Sequence, residues 1–194
     1  AYPDLKASAN YIALQNSLNE VEEDILQQDP TSGVVSHRYK PQIRELADVD
    51  RIHDPVVTHD VAASAERLAV YEALFGAILP VRQVGIQHIW FSPWDTLIRW
   101  WGVEQAMLDL VDRPELVHAA VARYEEAALR ELEQYERLNV LTLNNTNVRI
   151  GSGGYGYTRD LPGTPFTPGH VRPDNMWGCS NAQIFAAVSP EMHW

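Results

Sequence analysis

Between residues 58 and 145 the sequence switches repeatedly between a helical and a strand-like hydrophobic pattern, which limits the architectures open to it. In "THDVAASAERLAVYEALFGAILP", residues 58–80, Val61, Ala65, Leu68, Ala69 and Phe75 recur every three or four positions, predicting a helix that closes near Gly76. "PVRQVGIQHIWF", residues 80–91, is apolar and β-rich. A second helical stretch runs through "TLIRWWGVEQAMLDLV". Pro114 then opens a long helix, with Asp112 as its expected N-cap. Val117, Val121, Tyr124, Ala128, Leu132 and Tyr135 mark the expected buried face of that helix. "NVLTLNN", residues 139–145, reads as the next strand. Alternation of this kind predicts βα units around a parallel sheet, an α/β fold.

The flanks are less regular. Ile12, Leu14, Leu18, Val21, Ile25 and Leu26 are spaced for one or two surface helices over residues 1–29. Val34, Val35 and Tyr39 favour an extended stretch over 33–43, and Pro41 blocks helix at Lys40. "DVDRIHDP" is turn-like. A short strand or turn is expected at Trp177–Cys179, followed by two helices, the second opened by Ser189-Pro190-Glu191. Length suggests one domain over 1–194. The opening Ala1-Tyr2-Pro3 and the "SPEMHW" ending, where a helix is expected to begin, read as a piece of a longer protein.

Charge narrows the partners. A net charge of -11 argues against nucleic acid and anionic membrane, both of which demand a positive footprint. A small-molecule substrate is the expected partner. One cysteine permits no intrachain disulfide, and no signal segment or run of about 18 apolar residues occurs, so a cytoplasmic location is expected.

"NVRIGSGGYGYTRDLPG" contains Gly151-x-Gly153-x-x-Gly156, the spacing of a dinucleotide-binding turn. Such a turn leads directly into a helix whose N-terminus holds pyrophosphate. Here prolines follow at 162, 165 and 168, and Asp174 comes after them rather than at a second strand end. No nucleotide is therefore expected. Residues 151–175 read instead as a lid-like loop, with intersubunit packing as the alternative. Tyr155, Tyr157, Phe166, Arg149, Arg159 and Arg172 make the region richer than a passive linker.

"FSPWDTLIRWWGVEQAMLDLVDRPELVHAAVARY", with the "WG…AQIF…VSPEMHW" ending, resembles the uroporphyrinogen decarboxylase-like superfamily over most of residues 45–194. That superfamily includes the decarboxylase and the corrinoid-linked methyltransferases; the glycine loop resembles that of an uncharacterised branch. The resemblance implies a (β/α)8 TIM-type barrel with its site at the C-terminal strand ends. A whole barrel takes roughly 250 residues, so this chain would be an incomplete central portion. It implies a tetrapyrrole- or corrinoid-linked enzyme, with methyl transfer ahead of decarboxylation, and a non-catalytic binding or assembly subunit as the alternative. Corrinoid and zinc are the candidate cofactors, a corrinoid protein the candidate partner, and a homodimer the candidate assembly. No His-x-Cys pair of the zinc methyltransferases occurs.

In a parallel barrel, polar residues at strand ends face the mouth. His88 is a candidate general base or metal ligand, or equally an internally hydrogen-bonded histidine. Asp95 is a candidate catalytic acid, or simply a cap for the helix after Pro93. Cys179 is a candidate nucleophile or ligand, or a small buried hydrophobe. Asn144, Asn145, Asn147 and Arg149 suit an acid-bearing substrate, the alternative being an Asn-rich turn. Trp94 and Tyr155 complete the candidate substrate-binding set. His53 and His59 have no recognised metal-ligand spacing.

Overall fold

The computed structural model describes residues 5–8, 11–14, 23–28, 31 and 35–181. The described chain is mixed α/β, and it folds into two compact units interleaved along the sequence. Unit 1 comprises Ala1–Leu14, Val56–Trp90 and Arg130–Cys179, and unit 2 comprises Gln15–Pro55, Phe91–Leu129 and Ser180–Trp194. No helix among the described residues is long and apolar enough to cross a membrane.

The described strands form two-stranded sheets, and unit 1 holds a parallel pair whose first strand lies in a stretch expected to be helical. β1 (Leu5–Ser8) runs parallel to β6 (Val81–Val84), with Leu5 opposite Val81 and Ser8 opposite Val84. Two residues past β6, Ile86 bridges Leu141 in parallel. Ile86 donates its N–H to Val140 O at 2.7 Å and accepts that of Thr142 at 2.9 Å. β2 (Tyr11–Leu14) pairs antiparallel with β5 (Val56–His59). α2 (Val61–Phe75) starts at Asp60, whose carboxylate accepts the Ala63 N–H, a helix N-cap bond.

The turn into residue 141 comes from the end of α5 (Pro114–Arg137). Asn139 adopts φ 53°, its N–H bonds Glu136 O, and the Val140 N–H reaches back to Tyr135 O. This is a Schellman closure with asparagine in the left-handed position. It delivers Val140 and Leu141 into a small core with Ile86, Val171 and Met176.

Unit 2 holds the larger core. β3 (Glu23–Gln28) pairs antiparallel with β4 (Val35–Tyr39), and a short α1 (Leu46–Val49) follows. α3 (Pro93–Trp101) and α4 (Val103–Asp112) are separated at Gly102, whose φ of 81° breaks the helical run. Leu97, Trp100, Trp101, Ile43, Ile52, Val117 and Ala120 pack together. Each buried aliphatic side chain here contributes about 1.5–3 kcal/mol relative to exposure. After β4, the chain is tied to this core by the N–H of Gln42 and of Ile43, both donated to Trp100 O.

One carboxylate lies inside that core. Asp109, 1% exposed, accepts Trp101 Nε1 at 2.7 Å, Gln105 Nε2 at 2.9 Å, and Arg113 through Nε at 2.8 Å and a terminal nitrogen at 2.6 Å. Burial opposes its charge, but the donors from Arg113, Trp101 and Gln105 outweigh that and hold the carboxyl below the usual range. Arg113 also donates to Arg44 O. The "DLVDRPE" stretch, part of the resemblance, is thus a packing device.

Several expectations are corrected. The described parts of 1–29 are strands rather than helices, because pairing with 56–59, 81–84 and 35–39 overrides a weak helical period; Ile12 and Leu14 already stood two apart. The α2 stripe does not face inward: Val61 is 66% exposed, Ala65 and Ala69 are exposed, and Ser64 is buried instead. Asp112 ends α4 instead of capping α5, since Arg113 forms the junction. On α5 the fully buried positions are Leu116, Val117, Ala120 and Ala127, with Val121 and Tyr124 partly buried. The helices expected after residue 181 lie outside the described residues.

Candidate active site

The parallel segments of unit 1 end together, so the residues just past Ile86 and Leu141 emerge side by side. Gln87 Nε2 donates to Leu143 O at 2.7 Å, fixing the two ends against each other. Next along the chain, His88 is exposed and stacks on Trp90, with ring centroids 5.5 Å apart. Its Nδ1 lies 3.2 Å from Arg149 O. A carbonyl only accepts, so this contact makes Nδ1 the protonated nitrogen, and Nε2 of the neutral ring keeps its lone pair. That nitrogen can accept a proton or give one back.

The glycine run forms a small hairpin. Arg149 bridges Tyr155 in antiparallel fashion, Ile150 N–H bonds Gly154 O, and Gly156 N–H bonds Val148 O. No helix starts directly after Gly156; the next helical turn among the described residues is the 3-10 turn Pro173–Asn175. The two outer glycines of the motif serve close packing. A Cβ on Gly156 would collide with Asn144 O, and one on Gly151 would sit 2.9 Å from Cys179 Sγ. A Cβ on Gly153 or Gly154 would meet nothing within 4 Å.

Arg149 connects hairpin and histidine. Its backbone carbonyl meets His88, while its Nε donates to its neighbour Gly151 O at 2.8 Å. Among the described residues no carboxylate pairs with Arg149, which is exposed. The contact with His88 is made by the Arg149 backbone, while its guanidinium, held by Gly151 O, is a cation on the same hairpin of the kind that pairs with a carboxylate ligand. Gly151 in turn packs on Cys179, in β8 (Gly178–Ser180), which pairs with β7 (Ile89–Phe91). Thus Gly151 links Cys179 to Arg149, whose carbonyl meets His88.

The remaining candidates separate. Asn145 donates to Leu161 O at 2.9 Å and pins the descending loop, whereas Asn147 is exposed. Tyr155 is 62% exposed and Tyr157 73%, both near the hairpin tip. Trp94 is buried in the unit 2 core against Trp101, and Asp95 is exposed in the first turn of α3. Ser92, at the N-cap position of α3, gives no side-chain cap and instead donates to Asn181 Oδ1 at 2.9 Å. Gln87 belongs to the frame through Leu143 O, and the Trp177 indole donates to Thr158 Oγ1 at 3.2 Å.

The stretch expected as one lid divides in two. The hairpin through Tyr157 stands in solvent, but Phe166, Val171 and Met176 belong to the small core. Asn139 Nδ2 holds Gly169 O, and Arg172 Nε pairs with Glu136 at 3.3 Å. Residues Phe166, Gly169, Val171, Arg172 and Met176 are thereby held to unit 1, which leaves the hairpin as the lid candidate.

Among the described residues, no three His, Cys, Asp or Glu side chains gather as a metal site. His88 and Cys179 give two donors, short of the four of a structural zinc site or the three of a catalytic one. His59 Nε2 is engaged with Ser64 Oγ at 2.9 Å. No family model, curated protein or solved structure matches the chain.

Proposed function

We propose that this chain is part of a uroporphyrinogen decarboxylase-like barrel enzyme that binds a carboxylate-bearing tetrapyrrole, free or as a corrinoid, and transfers a methyl group. The observation that carries the reading is the contact of His88 Nδ1 with Arg149 O, by which the residue past the C-terminal end of one parallel segment meets the hairpin that follows the other. In a (β/α)8 barrel that end holds the site, and the β1–β6 and Ile86–Leu141 pairings support such an architecture. Arg149 would anchor a peripheral carboxylate, and Tyr155 and Tyr157 offer flat apolar faces to a macrocycle. In methyl transfer, a corrinoid supplies an electrophilic methyl group when bound. A thiol acceptor must lose its proton as its sulfur attacks, and His88 Nε2 is placed to take it.

Decarboxylation is the second reading, favoured by the same arginine. The carbon–carbon bond to a side-chain carboxylate breaks, carbon dioxide leaves, and the electron pair left on carbon takes a proton from protonated His88. The two reactions separate by product. Full-length protein is incubated with methylcobalamin plus a thiol, and separately with a porphyrinogen. Methyl thioether with loss of the methyl–cobalt absorbance supports transfer, and released carbon dioxide supports decarboxylation. Neither product, with neither compound bound, would overturn both and leave a non-catalytic subunit.

A further inference from the structure

The geometry points to Asn144 as the positioning residue of this candidate site rather than a group that meets substrate. Asn144 is 1% exposed, and its side-chain amide is used inside the protein. Nδ2 donates to Gln87 O at 3.0 Å and to Trp177 O at 2.7 Å, while Oδ1 accepts the Trp177 N–H at 3.0 Å. Both amide hydrogens and one of the two oxygen lone pairs are spent, and at this burial the group is closed to a ligand. The Asn144 backbone carbonyl faces Gly156, where any side chain would collide with it.

One buried residue therefore joins four segments. Gln87 precedes His88, Trp177 stands two residues before Cys179, Gly156 follows Tyr155, and Asn144 itself precedes Asn145. Toward Trp177 the amide acts as a surrogate strand, offering one donor and one acceptor to a backbone that has no ladder partner at that residue. The side chain ties the residue before His88 to the segment leading to Cys179, and the backbone carbonyl of the same residue backs the hairpin base. A fully satisfied buried amide of this kind rigidifies what it touches, and a half-satisfied one releases it.

The inference rests on reading His88 and Cys179 as site residues, but its test uses no substrate. Asn144→Asp in the full-length protein places a carboxylate against Gln87 O and Trp177 O. Two carbonyls and burial disfavour its charge, so its pKa rises. When protonated, it again offers one donor and one acceptor to Trp177. The readouts are the iodoacetamide rate at Cys179, as a variant-to-wild-type ratio at each pH, and the His88 titration followed by NMR. The expected result is a ratio at least threefold from unity in the pH range where the carboxylate is charged, falling toward one where it takes up its proton, together with a displaced His88 curve. A ratio of one at every pH with an unchanged His88 curve would overturn the proposal, even if thermal stability dropped. Should the variant not fold, amide exchange in the wild type decides. Trp177 N–H is expected to exchange at least 100-fold slower than an unstructured amide, and fast exchange would overturn the proposal. Failure of tetrapyrrole binding, by contrast, would sink the functional reading and leave this inference standing.

Discussion

The indole N–H of Trp101 donates to the buried carboxylate of Asp109 at 2.7 Å, joining the end of α3 to the middle of α4. Arg113 closes the same carboxylate from the other side. Removing the acceptor leaves an indole and a guanidinium without their partner. Asp109→Ala is expected to destabilise unit 2 by about 3 kcal/mol, the lower end for a broken buried pair because Arg113 is partly exposed. Urea unfolding measures it, and a loss under about 1 kcal/mol would reduce the network to ornament.

The same carboxylate sets an acid limit. Asp109 and Asp48 both titrate below the usual range in the folded protein; at Asp48, burial is outweighed by the N–H groups of Arg44 and Glu45 and by Arg51. A depressed folded pKa means stability fully present above the unfolded value of about 3.9, and lost as pH falls through the folded value. Melting temperature should hold from neutrality to about pH 5 and then decline, with a shallower decline in Asp109→Asn. An equally steep decline in that variant would assign the acid limit to other groups.

The glycines are expected to divide by position. Gly156→Ala should cost about 1–3 kcal/mol, because its Cβ meets the Asn144 carbonyl. Gly153→Val and Gly154→Val should leave stability within about 0.5 kcal/mol, since their Cβ positions are open. The second pair therefore isolates the role of the hairpin tip. Weaker ligand binding in folded protein indicates a lid, and unchanged binding returns the tip to packing.

How much of this could be read beforehand depends on the range of the interaction. Pro114 as a helix start and the extended 35–39 segment are local effects, and residue type alone announced them. The α2 stripe was equally local, yet period shows only that a stripe exists, not what it meets; Val61 lies on the exposed side. Long-range pairing turned the described parts of 1–29 into strands. That His88 follows a strand could be read from chain order, whereas its contact with the Arg149 carbonyl, which depends on the hairpin's return, could not. The roles of Asn144 and Asp109 were not, because they depend on which distant backbone or side chain arrives beside them.

His88 should matter for chemistry and not for folding. It is exposed, so His88→Ala is expected to keep stability within about 0.5 kcal/mol. Loss of a positioned acid–base group should lower turnover about 100-fold or more, with substrate affinity nearly unchanged. Thermal melts paired with steady-state kinetics check both halves. A variant that melts normally and turns over normally would remove His88 from the mechanism.

On the proposed function, Arg149 holds the carboxylate of a tetrapyrrole-type ligand. Calorimetric titration of a carboxylated porphyrinogen and of a corrinoid into full-length protein, wild type and Arg149→Ala, tests it most directly. The account predicts saturable binding of at least one ligand, weakened about tenfold or more in the variant by loss of a charge-assisted pair. Equal affinity in the two proteins, or no binding by either ligand, would contradict it.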